Sequence, residues 1–373
     1  MTRTRDHDAC PGALTVHRAA DGALARIRLP GGVLTADQLG ALARVAAEFG
    51  SGTMELTSRA NVQIRGIGGD EAASAVADAI AAAGLLPSAT HERVRNIVAS
   101  PLSGRAGGVA DIRDWVHRLD AAIQAGPALA QLPGRFWFGI DDGRGDVSGL
   151  AADVGVHVLD DDTVALLLAG RDTGVRLQPA DVVAAMTSVA ARFAAIRGKA
   201  WRIAELTDTG PLLTGLARTA DAGSTWPPVT HPPVGWIPQA DGRVALGAAM
   251  PLGLLPARVA EYLAAIEAPM VITPWRSVLV CDLAEGVADA ALRVLAPMGL
   301  VFDETSPWLG ISACTGSPGC EHSMADVRAD AARAVTTPAA AHRHFVGCER
   351  ACGSPRGAQV LIATGDGYRL RTP

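Results

Sequence analysis

The sequence predicts an α/β (α+β) protein built by internal duplication, in which only the second copy carries a cysteine site. Two β-α-β patterns recur about 210 residues apart. A proline-rich segment separates them, and four of the six cysteines lie from Cys314 onward. With 373 residues, 49% of them hydrophobic, the chain is long enough for two or three domains with cores of their own.

The first copy begins with "RIRLPGGVLTADQLGALARVAAEFG", which predicts a strand followed by a helix. Thr35 and Gln38 have the spacing of a capping box, so the helix should begin there. Gly50 marks its end. The next stretch, "TMELTSRANVQIRGI", alternates Val62 and Ile64 as a strand does. The buried stripe of the helix is predicted to be Leu39, Leu42, Ala46 and Phe49.

The second copy is "RVALGAAMPLGLLPARVAEYLAAIEAPMVITPWRSVLVCDL". In both copies a threonine precedes an arginine within three residues, Thr57 before Arg59 and Thr273 before Arg276. The repetition predicts two halves related by pseudo-two-fold symmetry. The equivalent helix stripe is predicted to be Leu255, Val259, Tyr262 and Ile266.

The segment between the copies, "GSTWPPVTHPPVGWIPQADG", contains five prolines, which resist regular structure. We take it as a linker. The predicted divisions are an N-terminal tail (1–21), a first half-domain (22–88), a first α/β domain without a cluster (89–221), the linker (222–242), a second half-domain (243–285) and a second α/β domain carrying the cluster (286–373).

Charge and hydropathy exclude several classes of protein. The net charge of −5 offers no global basic field for nucleic acid. The N-terminus has no apolar core of a secretory signal, and no apolar run was expected to approach the roughly 18 residues that cross a bilayer. We therefore expect a cytoplasmic protein without a membrane partner. Lys199 is the only lysine, so any anion site must use arginine, which binds carboxylates through two parallel bonds.

The cysteines form two pairs, Cys314 with Cys320 (C-x5-C) and Cys348 with Cys352 (C-x3-C). In a reducing compartment such pairs favour metal over disulfides. Structural zinc knuckles are usually C-x2-C or C-x4-C, whereas a bulkier iron–sulfur cluster tolerates wider loops. The spacing favours a 4Fe–4S cluster and leaves zinc as the alternative. The isolated Cys10 and Cys281 have no such pattern.

Five features in this order resemble the sulfite and nitrite reductase family. They are "LPGG", "LTSRANVQIRG", "RNIVASPLSG", "LPGRFWFGIDD" and the two cysteine pairs, and the resemblance extends over about residues 22–370. It implies a three-lobed α/β fold. Two ferredoxin-like half-domains and two cluster-type α/β domains make up that fold, and the second cluster-type domain binds the 4Fe–4S cluster.

The resemblance also implies roles for individual residues. Cys352 matches the cluster ligand that bridges to sirohaem iron in that family. The basic side chains that hold the tetrapyrrole carboxylates and the anionic substrate are matched by Arg28, Arg59 and Arg135.

The sequence departs from true reductases two residues after Arg135. Those enzymes have a second cation there, which binds and protonates sulfite or nitrite, whereas this chain has Trp137. The chain is also shorter than an assimilatory reductase. It resembles instead a compact oxygenase branch of the family, from aerobic cobalamin synthesis. This resemblance implies that O2 hydroxylates precorrin-3A at a meso carbon, with closure of a lactone onto a ring acetate.

Resemblance to that branch implies a mononuclear non-haem iron beside the cluster, rather than sirohaem. It also implies electrons from a reduced donor, such as NADH through a reductase or a ferredoxin. We expect a monomer. No 2-His-1-carboxylate spacing is recognisable, so the ligands of that iron are not assigned. The candidates are His91, His157, His322, His342 and His344, of which His342 and His344 are predicted to lie at the surface.

A precorrin carries many acetate and propionate groups around a flat apolar ring. Its pocket therefore requires arginine side chains above an apolar floor. Arg93 and Arg105 fall in the same segments as the stronger candidates, and Trp137 or Phe138 should be a core residue on strand alternation. The residues predicted to bind the tetrapyrrole are Arg28, Arg59, Asn61, Gln63, Arg65, Arg95 and Arg135.

Two other functions remain open. A short sirohaem-dependent sulfite or nitrite reductase would need its second cation from elsewhere, for example from Arg350 or Arg144. A protein that kept the cluster only for electron transfer would have no use for an anion-binding cavity. Arg59 and Arg135 therefore argue against it.

Overall fold

The computed structural model describes residues 8–336 and 341–371. These residues form seven α-helices: α1 (Ala36–Phe49), α2 (Gly69–Ala82), α3 (Arg113–Ala125), α4 (Val182–Ile196), α5 (Ala257–Ala264), α6 (Glu285–Leu295) and α7 (Val327–Ala334). They also form nineteen strands: β1 (His17–Ala19), β2 (Gly22–Ile27), β3 (Val33–Leu34), β4 (Thr53–Leu56), β5 (Val62–Ile67), β6 (Ile97–Ala99), β7 (Phe138–Asp141), β8 (Val154–Val158), β9 (Val164–Leu168), β10 (Arg171–Leu177), β11 (Gly235–Pro238), β12 (Val244–Ala249), β13 (Leu254–Pro256), β14 (Met270–Ile272), β15 (Ser277–Leu283), β16 (Ile311–Ala313), β17 (Arg343–Val346), β18 (Gln359–Thr364) and β19 (Gly367–Leu370).

The chain divides into two compact units. The first contains the chain up to Gly12, Arg28–Gly32 and Pro87–Val229, and the second contains Ala13–Ile27, Val33–Leu86 and the chain from Thr230 onward. The second unit thus contains the cysteine segment, the predicted second half-domain and most of the first, from which Arg28–Gly32 and the last two residues are excluded. This division is coarser than the six segments predicted from sequence, whose boundaries stay predictions.

The first unit contains one five-stranded sheet in the order β10-β9-β8-β7-β6. Strands β6, β7 and β8 are parallel, and β9 and β10 continue the sheet in antiparallel pairing. Phe136 and Phe193 stack with ring centroids 5.0 Å apart, and Phe138 meets Phe136 edge-on at 5.3 Å. These buried rings join the sheet to α4.

The stretch Pro179–Ile196 is long and apolar enough to cross a membrane by length and composition. The expectation that no stretch approaches that length was therefore wrong. In the structure this stretch includes α4, whose Val182, Met186, Val189 and Phe193 are fully buried in the first unit. A helix buried in a protein core meets the same criterion as a membrane span.

The duplication is visible in the second unit as two sheets of matching order, β1-β2-β5-β4-β13 and β11-β12-β15-β14-β3. The last strand of each sheet comes from the other copy. Strand β13 pairs antiparallel with β4, and β3 pairs antiparallel with β14. Each copy has therefore exchanged one short strand with its counterpart.

The second unit also contains a four-stranded sheet in the order β16-β17-β18-β19. Strands β16, β17 and β18 are parallel, and β19 is antiparallel to β18. This is the order and direction of β6-β7-β8-β9 in the first unit, so the duplication extends to the longer α/β segments. Helix α7 covers the sheet through Val327 and Ala331.

Two local predictions were wrong. The proline-rich segment was expected to resist regular structure, but β11 lies at its end and pairs with β12. The predicted stripe of the second helix is also out of phase. Helix α5 starts only at Ala257, and it buries Val259, Ala260 and Leu263 while Tyr262 is exposed. In the first copy, α1 begins with the predicted capping box of Thr35 and Gln38.

Candidate metal-cluster site

Two loops at the carboxyl ends of β16 and β17 carry the four cysteines. Cys314 directly follows β16, and its N–H donates to the carbonyl of Phe345 in β17 at 2.9 Å. Cys348 follows β17 two residues after its end. Because the two strands are parallel neighbours, their loops emerge at the same edge of the sheet.

Cys314 lies close enough to Cys320 and Cys348 for their charges to interact. Burial raises the pKa of the Cys314 thiol, and Cys320 and Cys348 raise it further. The N–H of Gly347 donates to Cys314 Sγ at 3.4 Å. Across the described ranges no three of these sulfur atoms lie within 4.8 Å of one another, whereas thiolates on one zinc ion at Zn–S bonds of about 2.3 Å stand roughly 3.8 Å apart. The all-thiolate donor set fits an iron–sulfur cluster.

Two glycines allow the loops to pack this closely. A Cβ on Gly347 would lie 1.8 Å from Ser323 Oγ, and one on Gly316 would lie 2.7 Å from a methyl group of Val327. Gly316 also has a φ of +72°, which side chains rarely tolerate. The glycines of "CTGSPGC" and "FVGCERAC" thus allow a close approach of neighbouring segments that a side chain would prevent.

Two arginines of the second unit hold carbonyls that adjoin cysteines. Arg65 donates to the carbonyl of Gly319 at 2.8 Å, and it forms an ion pair with Asp21, also at 2.8 Å. Arg276 donates to the carbonyl of Gly353 at 2.8 Å. Arg65 was predicted to bind the tetrapyrrole. That role stays a prediction, while the structure places its guanidinium against the first cysteine loop.

A histidine pair bridges β16 and β17 beneath the second cysteine loop. Ser312 Oγ lies 2.7 Å from His342 Nε2 and 2.8 Å from His344 Nδ1. His344 Nε2 lies 3.0 Å from the carbonyl of Cys352. A carbonyl only accepts, so Nε2 carries the proton and Nδ1 of the neutral ring accepts from Ser312. The prediction that both histidines lie at the surface was wrong, because His344 is fully buried and His342 partly so.

Burial is also the main reason why these rings are neutral at pH 7. It lowers the pKa of His342 to about 4 and that of His344 to about 3, and the positive charge of Arg276 adds to both effects. Of the other histidines considered for iron, His91 bonds to Ser88, Thr90 and the carbonyl of Gly126. His322 is partly exposed beside Glu321.

The equivalent edge of the first unit carries carboxylates instead of thiols. Ser100 directly follows β6, and its N–H donates to the carbonyl of Ile140 at 3.0 Å, as that of Cys314 does to Phe345. Asp141, Asp142 and Asp146 offer oxygens within 4.8 Å of one another, and all three are buried. They are already satisfied by protein groups. The Asp141 carboxylate accepts from the N–H groups of Gly143, Gly145, Val147 and Ser148.

The environment separates the pKa values of two of these carboxyls. Burial alone would raise both. At Asp141, however, bonds from His157 and from backbone N–H groups outweigh burial and lower the pKa to about 2. At Asp146, burial and the charge of Asp141 raise the pKa to about 7, despite a 2.6 Å bond from Ser100. Arg144, considered as a substitute cation, is bound to Asp142 and to the carbonyl of Ala106.

The remaining predicted tetrapyrrole ligands differ in what their side chains contact. Arg95 is buried and forms two bonds to Asp120, and Gln63 lies between Arg26 and Glu55. Arg28 is buried against Cys10 and Pro11, and Asn61 is buried in the turn that begins at Thr57. Arg59 is half-buried, and Arg135 is exposed and stacks over Trp201 at 5.2 Å. Arg59 and Arg135 are thus the members most open to a ligand, and the roles of the whole set stay predictions.

Trp137 and Phe138 are both core residues. Trp137 is 5% exposed and packs with Val98, Val147 and Ala152, and Phe138 is fully buried. The sheet of the first unit is covered on both faces here, so strand alternation does not bring either ring to the surface. No charge is supplied at position 137.

Sequence reasoning missed the contacts that Ser312 and Arg276 make near the cysteines. The available signal was the turn repeated in the two copies. Thr57 N–H donates to Asn61 and Thr273 N–H donates to Ser277, both at 2.9 Å. This alignment makes Trp275 the counterpart of Arg59, and Arg276 the counterpart of Ala60. The two arginines first paired by sequence therefore occupy different positions of the same turn.

Comparison with known proteins supports this architecture. The family model of the nitrite/sulfite reductase ferredoxin-like half domain matches residues 17–82. The precorrin-3B synthase of a Sinorhizobium species is 27% identical over 97% of this chain and 82% of its own length. The ferredoxin–nitrite reductase of Synechococcus elongatus is 32% identical, over 32% of this chain and 25% of its own.

Among solved structures, the NirA protein of Mycobacterium tuberculosis has a TM-score of 0.76 and 21% identity, and the match covers 93% of this chain and 74% of that one. At this identity the likeness concerns the fold alone. The sulfite/nitrite reductase-like fold expected from the sequence is confirmed.

Proposed function

We propose that this chain, which belongs to the sulfite and nitrite reductase superfamily, is a precorrin-3B synthase. It would hydroxylate precorrin-3A with O2 and close a lactone, as a step of aerobic cobalamin synthesis. The similarity to the Sinorhizobium precorrin-3B synthase supports this over nearly the whole chain, whereas the nitrite reductase of Synechococcus matches about a third of it.

The observation that carries the proposal is the burial of Trp137. A sulfite or nitrite reductase needs a second cation near this position to protonate its substrate. The indole instead completes a small apolar cluster, and Arg144, the nearest replacement in sequence, is bound to Asp142. A reaction that adds an oxygen atom from O2 to a carbon of the ring does not require that cation.

The chain's own residues have separate tasks in this proposal. Arg59 and Arg135 would bind carboxylates of the precorrin rim, because a guanidinium forms paired bonds to a carboxylate. Cys314, Cys320, Cys348 and Cys352 would hold a 4Fe–4S cluster, which when bound supplies electrons one at a time. Hydroxylation by O2 consumes two electrons and two protons and releases one water.

The proposal includes further components. A mononuclear non-haem iron would accompany the cluster, and its ligands are not assigned. The electrons would come from NADH through a reductase, or from a ferredoxin. We also propose a cytoplasmic monomer that binds neither nucleic acid nor membrane.

The test begins with an absorption spectrum and iron count of anaerobically purified protein, followed by acid–acetone extraction. We expect a broad iron–sulfur shoulder, no extractable tetrapyrrole, and consumption of precorrin-3A that depends on O2. Sirohaem in the extract, together with reduction of sulfite or nitrite, would overturn the oxygenase and establish the second candidate, a sirohaem-dependent reductase. The partial match to ferredoxin–nitrite reductases is the observation in favour of that candidate.

A further inference from the structure

Arg276 occupies an unusual backbone position beside the cysteine loops. It ends the turn between β14 and β15 with a φ of +57°, a left-handed conformation that costs free energy for any residue with a side chain. Its counterpart in the first copy, Ala60, has a φ of +56°. The turn itself therefore requires this conformation, and only the second copy places a cation there.

The side chain of Arg276 runs through a channel that two glycines keep open. A Cβ on Gly253 would lie 2.6 Å from Arg276 Cδ, and one on Gly353 would lie 3.1 Å from Nη2. Both glycines have positive φ values, +74° and +75°. At the end of the channel, Nη2 donates to the carbonyl of Gly353, the residue after Cys352. The guanidinium is thus fixed against the loop that carries two of the four thiols.

The charge of Arg276 is not compensated by a protein carboxylate. Among the residues that the structure describes, no acidic side chain forms an ion pair with it. Burial lowers its pKa, and the carboxylate that acts on it electrostatically is Glu55. Glu55 is itself bound to Arg328 and lies 3.7 Å from Arg65. Arg276 is partly buried, and desolvation of a cation that has no ion-pair partner is unfavourable, so an anionic group nearby would stabilise this arrangement.

We propose that Arg276 is the electrostatic partner of the cluster and raises its reduction potential. The inference rests on the proposed function, because it requires that the four cysteines hold a 4Fe–4S cluster. A four-thiolate cluster is anionic and gains one more negative charge when it accepts an electron, with no bond made or broken. A fixed cation beside the loop of Cys348 and Cys352 stabilises the reduced form more than the oxidised form, because attraction grows with the charge. Arg276 is a positioning and tuning residue and takes no part in bond changes.

The experiment is a redox titration of the holoprotein with dithionite. The electron paramagnetic resonance signal of the reduced cluster is measured at each potential. The variants are Arg276→Gln, which removes the charge, and Arg276→Lys, which keeps it. Arg293→Gln is the matched control, because it removes the same charge from an exposed position of α6 in the same unit. We expect Arg276→Gln to lower the ratio of reduced to oxidised cluster by about tenfold at the wild-type midpoint, which corresponds to about 59 mV for one electron. Arg276→Lys should stay within about threefold of the wild-type ratio, and Arg293→Gln should leave it unchanged.

The possible failures are distinct. If the wild-type protein gives no iron–sulfur signal, the cluster is ruled out, and the inference about Arg276 is ruled out with it. If the cluster has the same potential in wild type and in Arg276→Gln, the inference is overturned while the proposed function stands. The same holds if tetrapyrrole binding also weakens, because Arg276 would then be a ligand of the substrate. If Arg276→Gln retains no cluster, Arg276→Lys decides. If the cluster of Arg276→Lys has a potential near that of wild type, the role of charge is supported. If its ratio of reduced to oxidised cluster at the wild-type midpoint falls tenfold or more, that role is contradicted.

Discussion

The two parallel strand edges, after β6 and β7 in the first unit and after β16 and β17 in the second, are versions of one structure with different contents. In the second, Cys314 Sγ accepts the N–H of Gly347, and in the first, Ser100 Oγ accepts the N–H of Asp142. The hydrogen bond is the same, and sulfur is replaced by oxygen. The hydroxyl then donates to Asp146, which a thiolate does not do.

The two edges differ in how far protein groups bind their side chains. In the first unit, backbone N–H groups, Ser100 and Arg144 bind the three carboxylates, so the edge is complete with protein groups alone. In the second, the equivalent edge carries four cysteines and the guanidinium of Arg276, which donates to the carbonyl of Gly353. Three substitutions test this comparison of the two edges.

The largest effect is expected from Cys320→Ser. A serine oxygen is a poor replacement for a thiolate on iron, so we expect the iron content to fall by about four per chain. Iron analysis and the absorption spectrum measure this. Cys281→Ala is the matched control, because Cys281 is buried within β15, away from the loops, and its loss should leave the iron in place. Equal iron content in Cys320→Ser and Cys281→Ala would show that the cysteine edge is not the cluster site.

The second effect is expected from Asp141→Asn. The new amide NH2 would face backbone N–H donors, and we expect a loss of about 2–4 kcal/mol in the free energy of unfolding at pH 7. The folded-state pKa of about 2 lies below the ordinary value of 3.8, so the carboxylate stabilises the fold above about pH 4 and ceases to do so as the pH falls through 2. Denaturant titration at several pH values measures this.

The exposed Asp161→Asn is the control for this experiment. It should change the free energy of unfolding by less than about 0.5 kcal/mol. A tolerated Asp141→Asn would mean that the carboxylate edge is not held together as the hydrogen bonds indicate.

The smallest effect is expected from Asp146→Asn. It should raise the free energy of unfolding, whereas Asp141→Asn should lower it. The pKa of Asp146 is raised to about 7, so the fold favours the protonated form and loses stability as the pH rises from about 4 to 7. Asparagine does not ionise, and its carbonyl can keep the bond from Ser100. We expect the stability of the variant relative to wild type to be greater at pH 8 than at pH 5 by about 2–3 kcal/mol. An advantage equal at both pH values would contradict the raised pKa.

Local patterns predicted the parts of the fold that depend on neighbouring residues. The capping box of Thr35 and Gln38, the repeat of the two copies and the grouping of cysteines were all readable from spacing. The phase of α5 was not, because Leu255 belongs to β13, a strand that exists only through pairing with β4. The same holds for β11, which is strand because β12 lies beside it, despite the prolines that precede it.

The grouping of the four cysteines could be predicted from the sequence, and their surroundings could not. Cysteine spacing identified the four thiols. The burial of His344 depends on Ser312, more than thirty positions earlier in the chain, which brings it under the cysteine loop. Likewise, no local pattern indicates that Arg65 reaches Gly319, because the two are joined only by the pairing of distant segments.

The exchange of β3 and β13 between the two sheets has an evolutionary meaning. A pair of identical chains that swap an edge strand forms a dimer, and joining their genes would yield the interleaved sheets seen here. After such a fusion the copies can no longer separate, yet each can change its sequence independently of the other. The two strand edges differ in this way, with Ser100 and three aspartates at one and four cysteines at the other.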